Sequence, residues 1–266
     1  ELRDLNGKIR AFEIGGEVPN DLLDRRDMVL KKISEFMNVR THTDEHGAYV
    51  VNIVGVGPLV VGPNAGRFWV ERSPADDQGK PEAAFDLMTS AAADNKVTHR
   101  INGGRFGALL EVRDQAVSKV LNRIDDIAYR VTDTVNQIHR QGFNRNGFKG
   151  LNFFKAQSNR HRAAEHFDLS DEVKASVNNI AAAAQKDAPG DNRIAHAISG
   201  LQGIKLMNEG RSTIDDVYNG IMSDIAVQKN RTVHTKNQQD SIMKQLKTFR
   251  DRISGVSLDE ETANLL

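Results

Sequence analysis

The sequence predicts an α+β fold: a long-helix, rod-like bundle, discontinuous in the chain, with a small antiparallel β subdomain inserted into it. Three observations carry this. After Gly107 no Pro or Gly occurs until Gly142, and within that stretch Val117, Val120, Ile124, Ile127, Val131, Val135 and Ile138 recur at the three- and four-residue steps of a coiled-coil seam. A second long helical segment runs from Thr213 to Ile253. Between them and the first helices, from Val39 to Ile101, the period changes to two. The expected division is a helical rod from 1–38 and 103–266, a β subdomain at 39–102, and an irregular excursion at 144–169 within the helical part.

Leu2, Leu5, Ile9 and Phe12 share one helical face, and Gly15-Gly16 ends that helix. Pro19-Asn20 opens the second, whose apolar face is Leu22, Leu23, Met28, Val29, Ile33, Phe36 and Met37. In the β region Tyr49, Val51 and Ile53 alternate with Val50, Asn52 and Val54. Leu59-Val60-Val61, Phe68-Trp69-Val70 and Ala84-Phe85-Asp86-Leu87 follow, separated by the turn signals Asp44-Glu45-His46-Gly47, Gly57-Pro58, Gly62-Pro63-Asn64 and Asp94-Asn95. Gly103-Gly104 returns the chain to helix. The helix from Gly107 to Gln141 would be about 50 Å long and needs a partner along its length, for which the Thr213–Ile253 segment is the obvious choice.

Two shorter helices are expected in between, one capped by Ser170 and ending near Ala184, the other running from about Asp191 to Met207. In the last long segment Ile214, Val217, Ile221 and Ile225 begin a seam and Ile242, Leu246, Phe249 and Ile253 finish it, but Gln228, Arg231 or Thr232, Thr235 and Gln239 hold the seam positions between. Such polar positions either fix the register of a helix pair or face water. Both ends read as belonging to further helices. The first helix is under way at residue 1, and Ser257-Leu258-Asp259-Glu260 is a capping box that announces a helix beyond Leu266.

The 266 residues contain 36 Lys and Arg against 36 Asp and Glu, so the net charge is zero. A general nucleic-acid or membrane-surface binder carries a basic excess, so neither partner class is expected. No apolar run has the length of a membrane span. With no cysteine, disulfides, thiol catalysis and thiolate metal sites are excluded. His161 and His166 stand five apart, where ligands on one helical face need three or four, and no His-Glu-x-x-His is present. His42 and His46 flank a turn beside Asp44 and Glu45, where solvated turn residues are the plain reading and a loose metal site the alternative. Gly55-Val56-Gly57 leads into Pro58 and more strand rather than a helix N-terminus, so it cradles no phosphate. Asn144-Arg145-Asn146-Gly147 lacks the carboxylates and closing Glu of a calcium loop and reads as a turn. Asp125-Asp126 and Asp215-Asp216 are helix neighbours whose side chains diverge, the second pair suiting a first turn after Ser212 or Thr213. Lys229, Arg231 and Lys236 make a modest basic face. No catalytic residue, cofactor or metal site is expected, and the chain reads as no enzyme.

Four segments, in order, resemble one family. Asn20-Asp21-Leu22-Leu23-Asp24-Arg25-Arg26-Asp27 looks like an Asn-x-Leu-Leu-Asp-x-Arg-Asp helix. Gly103-Gly104-Arg105-Phe106-Gly107-Ala108-Leu109-Leu110, with Arg113-Asp114, resembles a Gly-rich entry to a long helix. Asn136-Gln137-Ile138-His139, then Gly142-Phe143-Asn144-Arg145-Asn146-Gly147 and Phe153-Phe154, looks like a Gly-Phe, Asn-Gly and Phe-Phe signature. Ile253-Ser254-Gly255-Val256-Ser257-Leu258-Asp259-Glu260-Glu261, with Asn264-Leu265, resembles the start of a terminal helix. In order and spacing these are similar to the bacterial flagellar hook-associated protein 1 family, the first hook–filament junction proteins.

The resemblance implies a structural protein exported through the flagellar type III channel without a cleaved signal. It would form a ring of subunits between hook protein and the second junction protein outside the cell. It also implies an inner tube of paired terminal helices, an outward-projecting β unit, and an export chaperone engaged through a C-terminal helix beyond this sequence; the present piece is expected to be a monomer. The candidate site residues are then those of the family motifs: Asn20, Leu22, Leu23, Asp24, Arg26, Asp27, Gly103, Gly104, Gly142, Phe143, Phe153, Phe154, Ser257, Leu258, Asp259, Glu260, Asn264 and Leu265. Larger members carry a further β domain after the paired phenylalanines, which the short join from Phe154 to Ser170 omits. Asn144 stands where an Asp is often found, and Thr262 sits inside the terminal-helix motif. The competing classes are another type III-exported helical tip or effector protein, and a metal-dependent enzyme using the histidine pairs.

Overall fold

In the computed structural model, which describes residues 1–45, 47–62, 64–73, 85–92 and 95–254, the order of elements follows the helix–strand–helix pattern of the sequence. The chain divides into two compact units, residues 1–129 with 157–167, and residues 130–156 with 168–266.

In the first unit α1 (Leu2–Ile14) and α2 (Asn20–Phe36) are joined by a short turn at Gly15 and Gly16. Leu2, Leu5 and Ile9 are buried as the spacing predicts, while Phe12, Met28 and Phe36 are exposed. Among the described residues six strands follow: β1 (Val39–Thr43), β2 (Tyr49–Ile53), β3 (Gly57–Val61), β4 (Asn64–Ala65), β5 (Phe68–Arg72) and β6 (Phe85–Thr89). The first four form an antiparallel sheet in chain order and the last two a separate antiparallel pair. Val51 and Val60 pack with Leu2 against Val29, Leu30 and Ile33. Ile53 and Val56 pack with Met37, Val97 and Ile101 against Phe68, Leu87, Phe106 and Leu110.

The helix after the strands opens as α3 (Gly104–Glu111). Gly104 has φ +64, and a Cβ there would lie 2.5 Å from the carbonyl of Phe36, so the close approach of α3 to the end of α2 requires glycine. The expected uninterrupted helix is broken by a π-helical turn over Val112–Val117 before α4 (Ser118–His139). Segment 157–167 is tied to α4 by the two neighbouring aspartates, which diverge as their spacing predicts. Asp125 accepts from the N–H groups of Arg162 and Ala164, at 3.1 and 2.9 Å, and Asp126 pairs with Arg160 at 3.1 Å.

In the second unit the two expected helices are shorter than their sequence patterns suggest. α5 spans only Asp171–Ala175, capped by the Ser170 hydroxyl, which accepts from the Val173 N–H. It stops because Ser176 turns extended and the Ala181–Ala184 run is held as extended chain: the Phe143 N–H donates to Ala183 O at 2.8 Å. α6 spans Arg193–Ser199 and tightens into a 3-10 turn over Gly200–Gly203, where two glycines weaken α-helical propensity.

The last helix, α7 (Ile214–Ser254), is as long as expected. Thr213 and Asp216 cap it reciprocally: the Asp216 N–H donates to Thr213 Oγ1 at 3.1 Å, and the Thr213 N–H to Asp216 Oδ2 at 2.9 Å. These hydrogen bonds hold the Asp216 carboxyl below the usual carboxylate range. Val217 and Ile221 are buried. From Met222 to Ile253 every residue is exposed, so the expected burial of the far seam residues against another helix is not found.

Candidate functional site

The described motif residues gather at two clamps, one in each unit. The first clamp fixes α1 and α2 to the β1–β2 hairpin. Arg26 is buried, its guanidinium lies 3.5 Å from the centroid of the Tyr49 ring, and Nη1 donates to Gly47 O at 3.3 Å. A cation over a ring face is worth more when water is excluded. The backbone of Tyr49 is also held from α1: Asn6 Nδ2 donates to Tyr49 O at 2.9 Å and Asn6 Oδ1 accepts from its N–H at 3.3 Å, so the buried amide imitates a strand neighbour. Leu22 and Leu23 are half-buried, whereas Asn20, Asp24 and Asp27 are exposed. Gly103 and Gly104 form the positive-φ entry to α3. Nearby, burial pushes the Asp86 carboxyl up. Hydrogen bonds from Lys96, Ser73 and Thr98 outweigh that, and it sits below the usual range.

The second clamp is a knot around the end of α4. Asn136 Oδ1 accepts from the N–H groups of both Phe153 and Phe154 at 2.9 Å, and Asn136 Nδ2 donates to Phe154 O at 2.9 Å. His139 is fully buried. The Ala181 N–H can only donate, so His139 Nε2 accepts it at 2.8 Å, and Nδ1 donates to Leu151 O at 2.8 Å. Phe153 stacks edge-on to His139 and to Phe154, with centroids at 5.5 and 4.8 Å. Gly142 is buried where a Cβ would stand 3.0 Å from Ala181 Cβ and from Ile194 Cγ1. Phe143 pairs with Ala183 through its backbone. The Asn144–Gly147 turn closes as predicted. Asn144 Oδ1 accepts from the N–H groups of Asn146 and Phe148, at 3.0 and 2.8 Å. Asp191 closes the far side by accepting from the N–H groups of Ala184 and Gln185, and the Arg193 guanidinium beside it holds its carboxyl well below the carboxylate range.

These residues are occupied in building the fold. Among the described residues no group of three or more His, Asp or Glu could hold a metal ion, and no helix is long and apolar enough to cross a membrane. His46, Ser257, Leu258, Asp259, Glu260, Asn264 and Leu265 lie outside the described residues. Asn6, Asn136 and His139 have no place among the predicted site residues. The signal for the last two was a polar pair, three apart, beside the apolar seam of Val131, Val135 and Ile138.

The surface that the fold leaves open is apolar and helical. On α7, Met222, Ile225, Ile242, Leu246, Phe249 and Ile253 are all exposed. On α3 and α4, Leu109, Val112, Val117, Leu121 and Ile124 are exposed as well. Isolated exposed apolar residues are ordinary, but contiguous rows of them mark contact surfaces.

Comparison with known proteins bears on what those surfaces meet. The family model described as the flagellar hook-associated protein FlgK helical domain matches residues 1–154. The chain is 23% identical to flagellar hook-associated protein 1 of Salmonella typhimurium, over all of this chain and 64% of that protein. It is 24% identical to the Escherichia coli K12 protein of the same name, over all of this chain and 63% of that protein, and 20% identical to that of Bacillus subtilis, over all of this chain and 57% of that protein. The chain thus spans less than two thirds of the length of these relatives. The structure of the flagellar hook junction protein FlgK from Burkholderia pseudomallei superimposes with a TM-score of 0.51 at 25% identity, covering 58% of this chain and 28% of that one.

Proposed function

The chain belongs to the family of the flagellar hook-associated protein FlgK helical domain, and on that premise we propose that it is a structural subunit of the bacterial flagellum that joins hook to filament. It acts as one member of a ring, with hook protein on one side and the second junction protein on the other. It works outside the cell, after export through the flagellar type III channel with a chaperone engaged by its C-terminal helix. It carries out no catalysis. The helical segments 1–38 and 103–266 serve as the rod of the subunit and 39–102 as its outward projection.

The observation that carries this reading is the α7 surface. A 41-residue helix that leaves open Met222 and Ile225 near its start and Ile242, Leu246, Phe249 and Ile253 near its end suits a chain whose stable state is an assembly. In solution alone, such a surface is an aggregation hazard. Binding here is interface matching, in which apolar rows supply affinity and flanking charges select register and partner.

The test uses the full-length protein and filament-free hooks. Labelled protein incubated with hooks and viewed by electron microscopy is expected at one hook end only. Hooks that stay unlabelled while accepting a known junction protein would overturn the reading.

A further inference from the structure

Asn6, Asn102, Asn146 and Asn219 are each followed by glycine. Asparagine is a thermolabile residue, and a following glycine makes it more so. With no Cβ in the way, the next backbone nitrogen can reach the side-chain carbonyl carbon, Cγ. The fold restrains three of these pairs. Asn6 and Gly7 lie within α1, and the buried Asn6 amide is fastened at both ends to the Tyr49 backbone, at 2.9 and 3.3 Å. Asn219 and Gly220 lie within α7, where the Gly220 N–H is committed to the helical ladder. Asn146 stands in the turn closed by Asn144. Its own N–H donates to Asn144 Oδ1, and the Gly147 N–H donates to Asn144 O, both at 3.0 Å. Asn146 and Asn219 are exposed, so what separates the pairs is the commitment of the following N–H, not burial.

The fourth pair has no such restraint. Asn102 and Gly103 lie outside helix and strand, between the buried Ile101 and the start of α3. Among the described residues neither the Asn102 amide nor the Gly103 N–H makes a hydrogen bond. We infer that Asn102 is a site of spontaneous deamidation, a modification that the folded chain undergoes as it ages. The Gly103 nitrogen loses its proton to solvent base and attacks Asn102 Cγ. The new C–N bond closes a cyclic imide, and the side-chain nitrogen takes up a proton and leaves as ammonia. Water then adds to either ring carbonyl and breaks its C–N bond. One opening gives aspartate with the original backbone. The other gives isoaspartate, whose backbone runs through Cβ and is longer by a methylene. The consequences differ. Aspartate puts a negative charge beside the positive end of α3, where it is favourable. Isoaspartate finds no slack. A Cβ on Gly107 would lie 3.0 Å from the Asn102 carbonyl carbon, and one on Gly104 would lie 2.5 Å from that of Phe36. The added methylene therefore pushes α3 away from the end of α2.

The test holds the folded chain at mildly alkaline pH and body temperature for weeks. Samples are digested at mildly acidic pH, which suppresses further conversion, and mapped by mass spectrometry. Deamidation is expected at Asn102 several-fold faster than at Asn6, Asn146 or Asn219, and the four rates are expected to converge in strong denaturant. Asn102 reacting no faster than Asn146 in the folded chain would overturn the inference. So would a lead of Asn102 that persists unchanged in denaturant, because local sequence and not the fold would then select it. Hydrogen exchange over α3 tests the consequence. Asn102→Asp carries the charge without the methylene and is expected to keep its protection, whereas the isoaspartate fraction of the aged chain is expected to lose it several-fold. Asn102→Gln closes the imide far more slowly and is expected to age without that loss. An isoaspartate fraction with full protection, or an equal loss in aged Asn102→Gln, would overturn the assigned effect on α3.

Discussion

The knot at the end of α4 and the outer part of α7 are opposite solutions to the same need for a partner. At the knot, Asn136 and His139 spend all their polar atoms on backbone groups of residues 151–154 and 181, and Gly142 admits Ala181 and Ile194 to van der Waals contact. Along α7 from Met222 onward, the large apolar side chains are exposed. The comparison teaches where motif residues belong in a protein of this kind. A signature of Gly, Asn and aromatic residues at fixed spacing marks backbone geometry that must be made within the chain. The assembly surface is a row of Ile, Leu and Phe at helical spacing, with no distinctive wording.

The largest effect that would break the comparison is expected from Asn136→Ala. It removes the Asn136 bonds to two half-buried N–H groups and one carbonyl at once. At about 1–3 kcal/mol for each group left unsatisfied, even partial relaxation leaves a loss of roughly 3 kcal/mol in denaturant unfolding. A loss below about 1 kcal/mol would mean that the knot is held by its aromatic packing instead. Gly142→Ala should come next, at about 2 kcal/mol, the ordinary cost of forcing a methyl into a filled site. Here Ala181 and Ile194 have to move, and a crystal structure of the variant would show them displaced.

How far the sequence could be read divides along the same line. The helix seams, the strand alternation around Val51 and Ile53, the glycine entry at Gly104 and the Thr213–Asp216 start of α7 were legible, because each rests on local periodicity or capping. The premature stop of α5 was not. Ala181–Ala184 has high helical propensity, and only the tertiary bonds from Phe143 and His139 pull it straight. The π turn was not legible for a related reason: the seam from Val117 to Ile138 carries no information on the phase of Leu109 and Val112, which precede it. The far seam of α7 was legible as an apolar face, but period alone does not say what covers such a face.

Two smaller effects sharpen the contrast, one at the start of α7 and one in the first unit. Thr213→Ala removes the cap and should cost about 1 kcal/mol, read as a lower unfolding midpoint with an unchanged denaturant slope. Acid should weaken the first unit through Asp86. Its folded carboxyl titrates below the ordinary value, so its contribution is complete above about pH 4 and is lost as pH falls through the lower folded value. Asp86→Asn is therefore expected to flatten the acid limb of the stability curve, and an unchanged limb would assign acid sensitivity elsewhere.

The smallest expected effect is the most telling. Phe249 is one of the larger side chains on α7, and it is 62% exposed. Phe249→Ala in the isolated chain should change unfolding free energy by no more than about 0.5 kcal/mol, because alanine is the better helix former and little apolar contact is lost. The same change at a buried aromatic costs about 3–5 kcal/mol. A loss of that size at Phe249 would show that the outer part of α7 is already covered in the lone chain. A near-zero loss, joined to a clear defect when the full-length variant is offered to hooks, would place the value of this side chain in assembly. The same residue would then be silent in folding and decisive in contact, the reverse of Asn136.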